Sequence, residues 1–199
     1  FDSIDDDTLT RPISVFNASA PEKMQHFAKL KTYGDMRIGH AGVGSVVQHR
    51  IPYSAKYPAS GTNALCDGIT GSLNFSDGGW QGFEGTGMEA VIELPSETSI
   101  SSMTAHFLYS PNDWIFLPEK VEILVSADGK NFEPLSSFGI PNERPTDLKI
   151  MEIKTMSDSF ESIDVRFIKV VATSTGVCPD WHYARGKKSW IFVDEIILK

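Results

Sequence analysis

No stretch of this chain is apolar for the ~20 consecutive residues that a membrane-spanning helix needs, so no such span is expected. Cysteine is scarce. Cys66 and Cys178 are the only two, too few for a disulfide framework. Each sits in a loop flanked by turn residues. They pair if the fold brings those loops together, which suits an extracellular setting, or they stand as two unpaired small residues. No CxxC or HExxH spacing supports zinc. No Gly-x-Ser-x-Gly, P-loop or dinucleotide fingerprint occurs, and no repeat or low-complexity tract. A basic excess is also missing: 18 Lys and Arg stand against 26 Asp and Glu, for a net charge of -8. Phosphates would be repelled, which argues against a nucleic-acid partner. The chain opens at Phe1 with no signal segment, which reads as a fragment or mature form of a protein whose targeting segment lies outside it.

What is present is strand. Val121, Ile123 and Val125 alternate with Glu122, Leu124 and Ser126. Val165, Phe167 and Lys169 alternate with Arg166, Ile168 and Val170. Met88 to Leu94, Ile100 to Leu108, Leu148 to Ile153 and Trp190 to Leu198 add runs rich in β-branched and aromatic residues. Pro95-Ser96, Ser110-Pro111-Asn112-Asp113, Ala127-Asp128-Gly129-Lys130 and Ser174-Thr175-Gly176 supply turn chemistry between them. Many short strands with almost no helical period predict an all-β antiparallel sandwich. One helix candidate covers Pro21 to Tyr33. Residues 1–44 differ in texture and are read as an N-terminal appendage or remnant of a preceding domain, with the sandwich over 45–199.

The most informative segment is Trp181-His182-Tyr183-Ala184-Arg185-Gly186-Lys187-Lys188-Ser189-Trp190, followed by the strand Ile191 to Leu198 with Asp194-Glu195 inside it. Flat rings and long donors in one loop suit a sugar, which offers an apolar C–H face and hydroxyls of fixed geometry. Carboxylates inside an apolar strand need partners, since an unpaired buried charge costs several kcal/mol. A hard cation is one such partner.

From Tyr57 onward the chain resembles a known family. Tyr57-Pro58-Ala59-Ser60-Gly61-Thr62-Asn63-Ala64-Leu65-Cys66-Asp67-Gly68, Trp80-Gln81-Gly82-Phe83, Ala90-Val91-Ile92-Glu93-Leu94, Trp114-Ile115-Phe116-Leu117-Pro118, Ser126-Ala127-Asp128-Gly129 and Phe192-Val193-Asp194-Glu195-Ile196 carry the likeness. In order and spacing they are similar to the discoidin, or coagulation-factor type C, domains. That group includes the family-32 carbohydrate-binding modules appended to bacterial β-hexosaminidases and β-galactosidases. The resemblance implies an eight-stranded jelly roll, a structural calcium, and sugar-binding loops at one rim. It also implies a catalytic domain elsewhere in a longer protein, and an extracellular, periplasmic or cell-surface location. Galactose or N-acetylhexosamine termini are the ligands it favours.

Carried over, the calcium ligands are Asp67, Ser72 and Glu195, with the carbonyls of Leu65 and Ile69. Gly68 and Gly71 let that loop curl. The sugar-binding candidates are Trp181, His182, Tyr183 and Arg185 in one loop, Asn112 and Trp114 in a second, and Trp80 and Gln81 in a third. Trp181 and His182 are expected to be exposed. Trp80 fits a core lid as well as a ligand, while Trp114 and Trp190 begin apolar runs and also fit packing. Two other readings compete. An enzyme would need paired carboxylates, and Asp113, Asp180 and Glu84 are loop acids that no spacing pairs. A protein- or lipid-binding discoidin-type domain would use Lys187-Lys188 with Trp190, against the net acidity of the chain. An accessory structural domain without sugar binding is the blandest alternative.

Overall fold

The computed structural model describes residues 37–139 and 142–199. The helix expected over residues 21–33 lies outside the described residues, as does most of the expected appendage. Residues 37–44 are described, and they pack with the strands that follow. Ala41 N–H donates to the Leu198 carbonyl and Gly44 N–H to that of Cys66.

The described residues form seven strands: β1 (Val46–His49), β2 (Gln81–Glu84), β3 (Met88–Tyr109), β4 (Lys120–Ser126), β5 (Glu133–Phe138), β6 (Glu152–Thr173) and β7 (Trp190–Leu198). All seven pair antiparallel, and among the described residues there is no α-helix. The runs Met88 to Leu94 and Ile100 to Leu108 are one strand, not two. Pro95 falls between Glu93 and Thr98, where the register against β6 slips, so its missing N–H removes no ladder bond. A second slip lies between Ile100 and Ser102. Such bulges bend a strand and add twist.

The bend makes the sandwich. β1 pairs with the first part of β3, and the last part of β6 carries β4 and then β5. The other layer takes the second part of β3, flanked by β7 and β2 on one side and by the first part of β6 on the other. β3 and β6 therefore each serve both layers of the jelly roll. The inner faces supply Ala90, Ile92, Met103, Phe107, Val121, Ile123, Ile168, Val170, Ile191 and Val193 to one apolar core. The alternation expected from Val165 holds only locally. Val165 is buried, but Ile168, Val170 and Ala172 then take the inner positions, a change of phase across the bend.

A second, smaller cluster of Trp80, Leu108, Ile115 and Phe192 lies on the outer side of the β7 layer. Tyr57, Phe75 and Trp190 pack against it. This outer cluster is where the loop before β2 finds its anchorage.

Candidate functional site

β7 carries its two acids at a bulge. Val193 faces Phe107 and Ile196 faces Ala105, so Asp194 and Glu195 together oppose the single residue His106. In a regular strand two neighbours would point to opposite faces, one of them into the core. The extra residue lets Val193 and Ile196 both stay in the core, and both carboxylates turn toward the loop before β2. Gly68 N–H donates to Glu195 Oε1 at 3.1 Å, and Gly71 N–H donates to Asp194 Oδ2 at 2.7 Å. Each acid also meets a histidine. His106 Nδ1 lies 3.4 Å from Asp194 Oδ1, and the contact raises the His106 pKa.

His40 Nε2 lies 2.7 Å from Glu195 Oε1. Its Nδ1 accepts the N–H groups of Gly42 and Leu198 at 3.1 and 3.2 Å, which fixes the proton on Nε2. His40 is thus a neutral donor, and burial holds its pKa down at about 4. A neutral donor does not offset a carboxylate charge. Glu195 is pushed up to about 9, first by burial and next by the neighbouring Asp67 carboxylate. Its Oε2 is buried with no hydrogen-bond partner.

The expected cation ligands divide. Asp67 stands beside Glu195, accepts the Ile69 N–H at 2.9 Å, and is bonded by the Ser60 hydroxyl. The carbonyls of Leu65 and Ile69 accept no hydrogen bond from any described residue. Ser72 does not join them: its hydroxyl bonds Asp77 and accepts the Asn74 N–H, closing a local turn. Among the described residues no group of three or more His, Cys, Asp or Glu side chains is arranged to hold a metal. A cation here would bind two carboxylates plus carbonyl oxygens, a set that suits calcium and not zinc. Cys66, in the adjoining 3₁₀ turn, and Cys178 are both buried free thiols. Burial raises both, and for Cys66 the nearby Glu195 and Asp67 add to it.

The rim is built where the turn after β3 (residues 110–114) meets the loop before β7. Consecutive residues stitch them. His182 Nε2–H donates to the Pro111 carbonyl at 2.9 Å, and the Tyr183 hydroxyl donates to the Asn112 carbonyl at 2.9 Å. Trp114 Nε1–H returns a bond to the Tyr183 hydroxyl at 3.0 Å. Trp114 adopts a left-handed backbone, φ 64°, which is rare for so bulky a side chain. Its N–H bonds the Pro111 carbonyl, and its carbonyl accepts the Trp190 N–H.

These contacts redistribute the expected site residues. Tyr183 is 64% exposed, with its ring tilted over the His182 ring at 4.2 Å between centroids. Asn112 and Arg185 are exposed beside it in the same two loops, and Trp114 is half-buried. His182 is 2% exposed, contrary to expectation: its ring ties one loop to the other, and burial lowers its pKa. Trp181 is half-buried against Phe116, with its indole N–H on the Asn142 carbonyl. Trp80 and Gln81 are both 0% exposed and are not rim residues. Trp80 anchors the outer cluster and donates to the Ser72 carbonyl, and Gln81 donates to the Gly61 carbonyl. Residues the sequence reading left out are His40 and His106. Only the bulge opposite His106, a long-range feature, brings them to the two acids.

No protein-family model matches the chain. No curated protein matches it either. Solved structures do share its fold. The family 32 carbohydrate-binding module from Streptococcus pneumoniae EndoD superposes with a TM-score of 0.54 at 11% identity, over 81% of this chain and 99% of that one. The family 32 module from C. perfringens NanJ in complex with galactose gives 0.47 at 14% identity, over 77% and 92%. SpGH29 gives 0.49 at 12% identity over 90% of this chain, which spans only 32% of that longer one. The chain has a jelly-roll sandwich fold, which it shares with the EndoD module.

Proposed function

We propose that this chain is a non-catalytic glycan-binding module. The observation that carries the reading is Tyr183: a large ring, 64% exposed, held in one orientation by bonds through its hydroxyl to Trp114 and Asn112. A rigid, solvent-facing ring has no structural use for its free face, and stacking on the C–H face of a sugar is a use that fits. Asn112 and Arg185 lie alongside as donors. Few atoms would be buried, so affinity should be modest, with Kd on the order of 10⁻⁴ to 10⁻³ M. Galactose and N-acetylhexosamine termini are the first ligands to try, because the family resemblance implies them. A glycan array on the intact chain tests the reading. Retention on at least one glycan, abolished by Tyr183→Ala with Tm lowered by no more than about 5 °C, is the expected result. An array blank across neutral and charged glycans would sink it.

A structural calcium is the second part of the proposal. Asp67 and Glu195 would hold it, with the Leu65 and Ile69 carbonyls. The ion would supply positive charge between the buried Glu195 carboxylate and the half-buried Asp67 carboxylate beside it. The orphaned Glu195 Oε2 is the feature that supports it. Calcium should raise Tm in the wild-type chain and leave Asp67→Ala unmoved.

The remaining reading follows the family resemblance. A module of this kind raises the local concentration of a tethered catalytic domain on its glycan. A glycoside hydrolase of β-hexosaminidase or β-galactosidase type, outside the cell, in the periplasm or on a bacterial surface, is the proposed parent. Among the described residues no helix is long and apolar enough to cross a membrane.

A further inference from the structure

We propose that the rim selects an anionic glycan, one bearing carboxylate groups, over its neutral counterpart. This inference rests on the glycan-binding reading and narrows it. It starts from which polar atoms of the rim remain unused. Every aromatic heteroatom there already has a partner. Trp181 Nε1 bonds the Asn142 carbonyl, and His182 Nε2 bonds that of Pro111. Trp114 Nε1 bonds Tyr183, whose hydroxyl both accepts that bond and donates to the Asn112 carbonyl. Tyr183 therefore offers a ligand its ring face and little else.

Polar recognition falls to side chains without partners. Arg185, Lys187 and Asn112 are exposed, and their side chains make no hydrogen bond or ion pair among the described residues. Arg185 closes the turn that displays Tyr183, its N–H bonding the His182 carbonyl. Lys187 follows on the next bond of the same loop, to the Ala184 carbonyl. Two acids stand nearby: Asp180 in the loop itself, and Asp113 in the facing turn, which accepts the Ser110 hydroxyl at 2.6 Å and keeps its charge. Over the two loops, residues 110–114 and 178–190, the count is Arg185, Lys187 and Lys188 against Asp113 and Asp180, a local +1 on a chain whose net charge is -8. A cationic loop on an acidic protein is a local exception. Cations beside a fixed stacking ring select a ligand with an apolar face and a negative substituent.

An anionic membrane shares the charge but not the ring geometry. Insertion would need an apolar spike beside the lysines. Trp190 is half-buried, held edge-on against Tyr57 and Phe192 at 5.2 and 5.7 Å.

The test compares matched polymers: polygalacturonate and alginate against neutral galactan, by affinity electrophoresis and calorimetry of the intact chain. Retention of a charged polymer should exceed that of galactan and fall steeply near 1 M salt, where the screening length is about 3 Å. Arg185→Gln with Lys187→Gln should weaken it about tenfold or more at unchanged Tm. Galactan retained as well as or better than both charged polymers, or a double variant that binds the charged polymers undiminished, would overturn the anionic preference and leave glycan binding standing. Retention on no polymer would overturn the anionic preference, whether or not phosphatidylserine vesicles sediment the protein, and glycan binding itself would fall only with a blank array.

Discussion

His182 and Tyr183 are neighbours with opposite duties. The first is buried and ties two loops, and the second is displayed by them. Replacing His182 with Ala strands the Pro111 carbonyl and should cost about 1–3 kcal/mol, read as a shift in the urea midpoint. Tyr183→Phe keeps the ring and removes only the hydroxyl bridging Trp114 and Asn112. It should cost about 1 kcal/mol or less and leave glycan retention largely intact. A Phe variant that binds as poorly as the Ala variant would show that the hydroxyl, not the ring face, is what the ligand reads. In sequence the two residues are indistinguishable: both are polar aromatics between Pro179 and Gly186, in a segment without apolar period. Their difference comes from Pro111 and Asn112, some 70 positions away, and no local pattern encodes it.

At the level of elements, glycine explains what aromatic residues could not. Trp80 follows two glycines in a turn-rich stretch and looked as suited to a ligand as to a lid. It is buried because Gly71 leaves room for it: a Cβ at Gly71 would fall inside the Trp80 indole. Gly71→Ala should therefore destabilise by about 1–3 kcal/mol, and its displaced N–H would also loosen the hold on Asp194. Thermal melts of the variant with and without calcium would separate the packing loss from the site loss. The strands themselves were legible, because period-two alternation and β-branched runs are local signals. So was the meeting of Asp67 with Glu195, through the resemblance. The β7 bulge was not, since Phe192-Val193-Asp194-Glu195-Ile196 reads as one unbroken run. The continuity of β3 through Pro95 was equally hidden, because a proline at a register slip looks like a turn.

For the whole molecule, titration sets a stability profile. Without calcium, Glu195 and His40, among the groups whose pKa values are shifted, act in opposite senses. Glu195 has a folded pKa of about 9 against an ordinary 4.5. The folded state then binds the extra proton across that window, so this contribution is complete below 4.5 and is lost as pH rises toward 9. His40 has a folded pKa of about 4 against 6.5. Its contribution is complete above 6.5 and is lost as pH falls toward 4. In chelator, Tm should crest between these flanks and decline from pH 6.5 to 9. Calcium in place of the Glu195 proton should flatten that alkaline decline. Melts across this range that are identical in calcium and in chelator would dispose of the ion.

β3 and β6 run unbroken through both layers of the sandwich, paired from Met88↔Ala172 to Tyr109↔Glu152. The two faces are consequently joined by covalent chain at a shared fold line as well as by burial. β1, β4 and β5 belong to one layer and β2 and β7 to the other, but both sets are carried by the same two continuous strands, so neither layer can melt while the other persists. Backbone amides along 88–109 and 152–173 should then exchange with solvent through one common opening, with the same dependence on denaturant at either end of each strand.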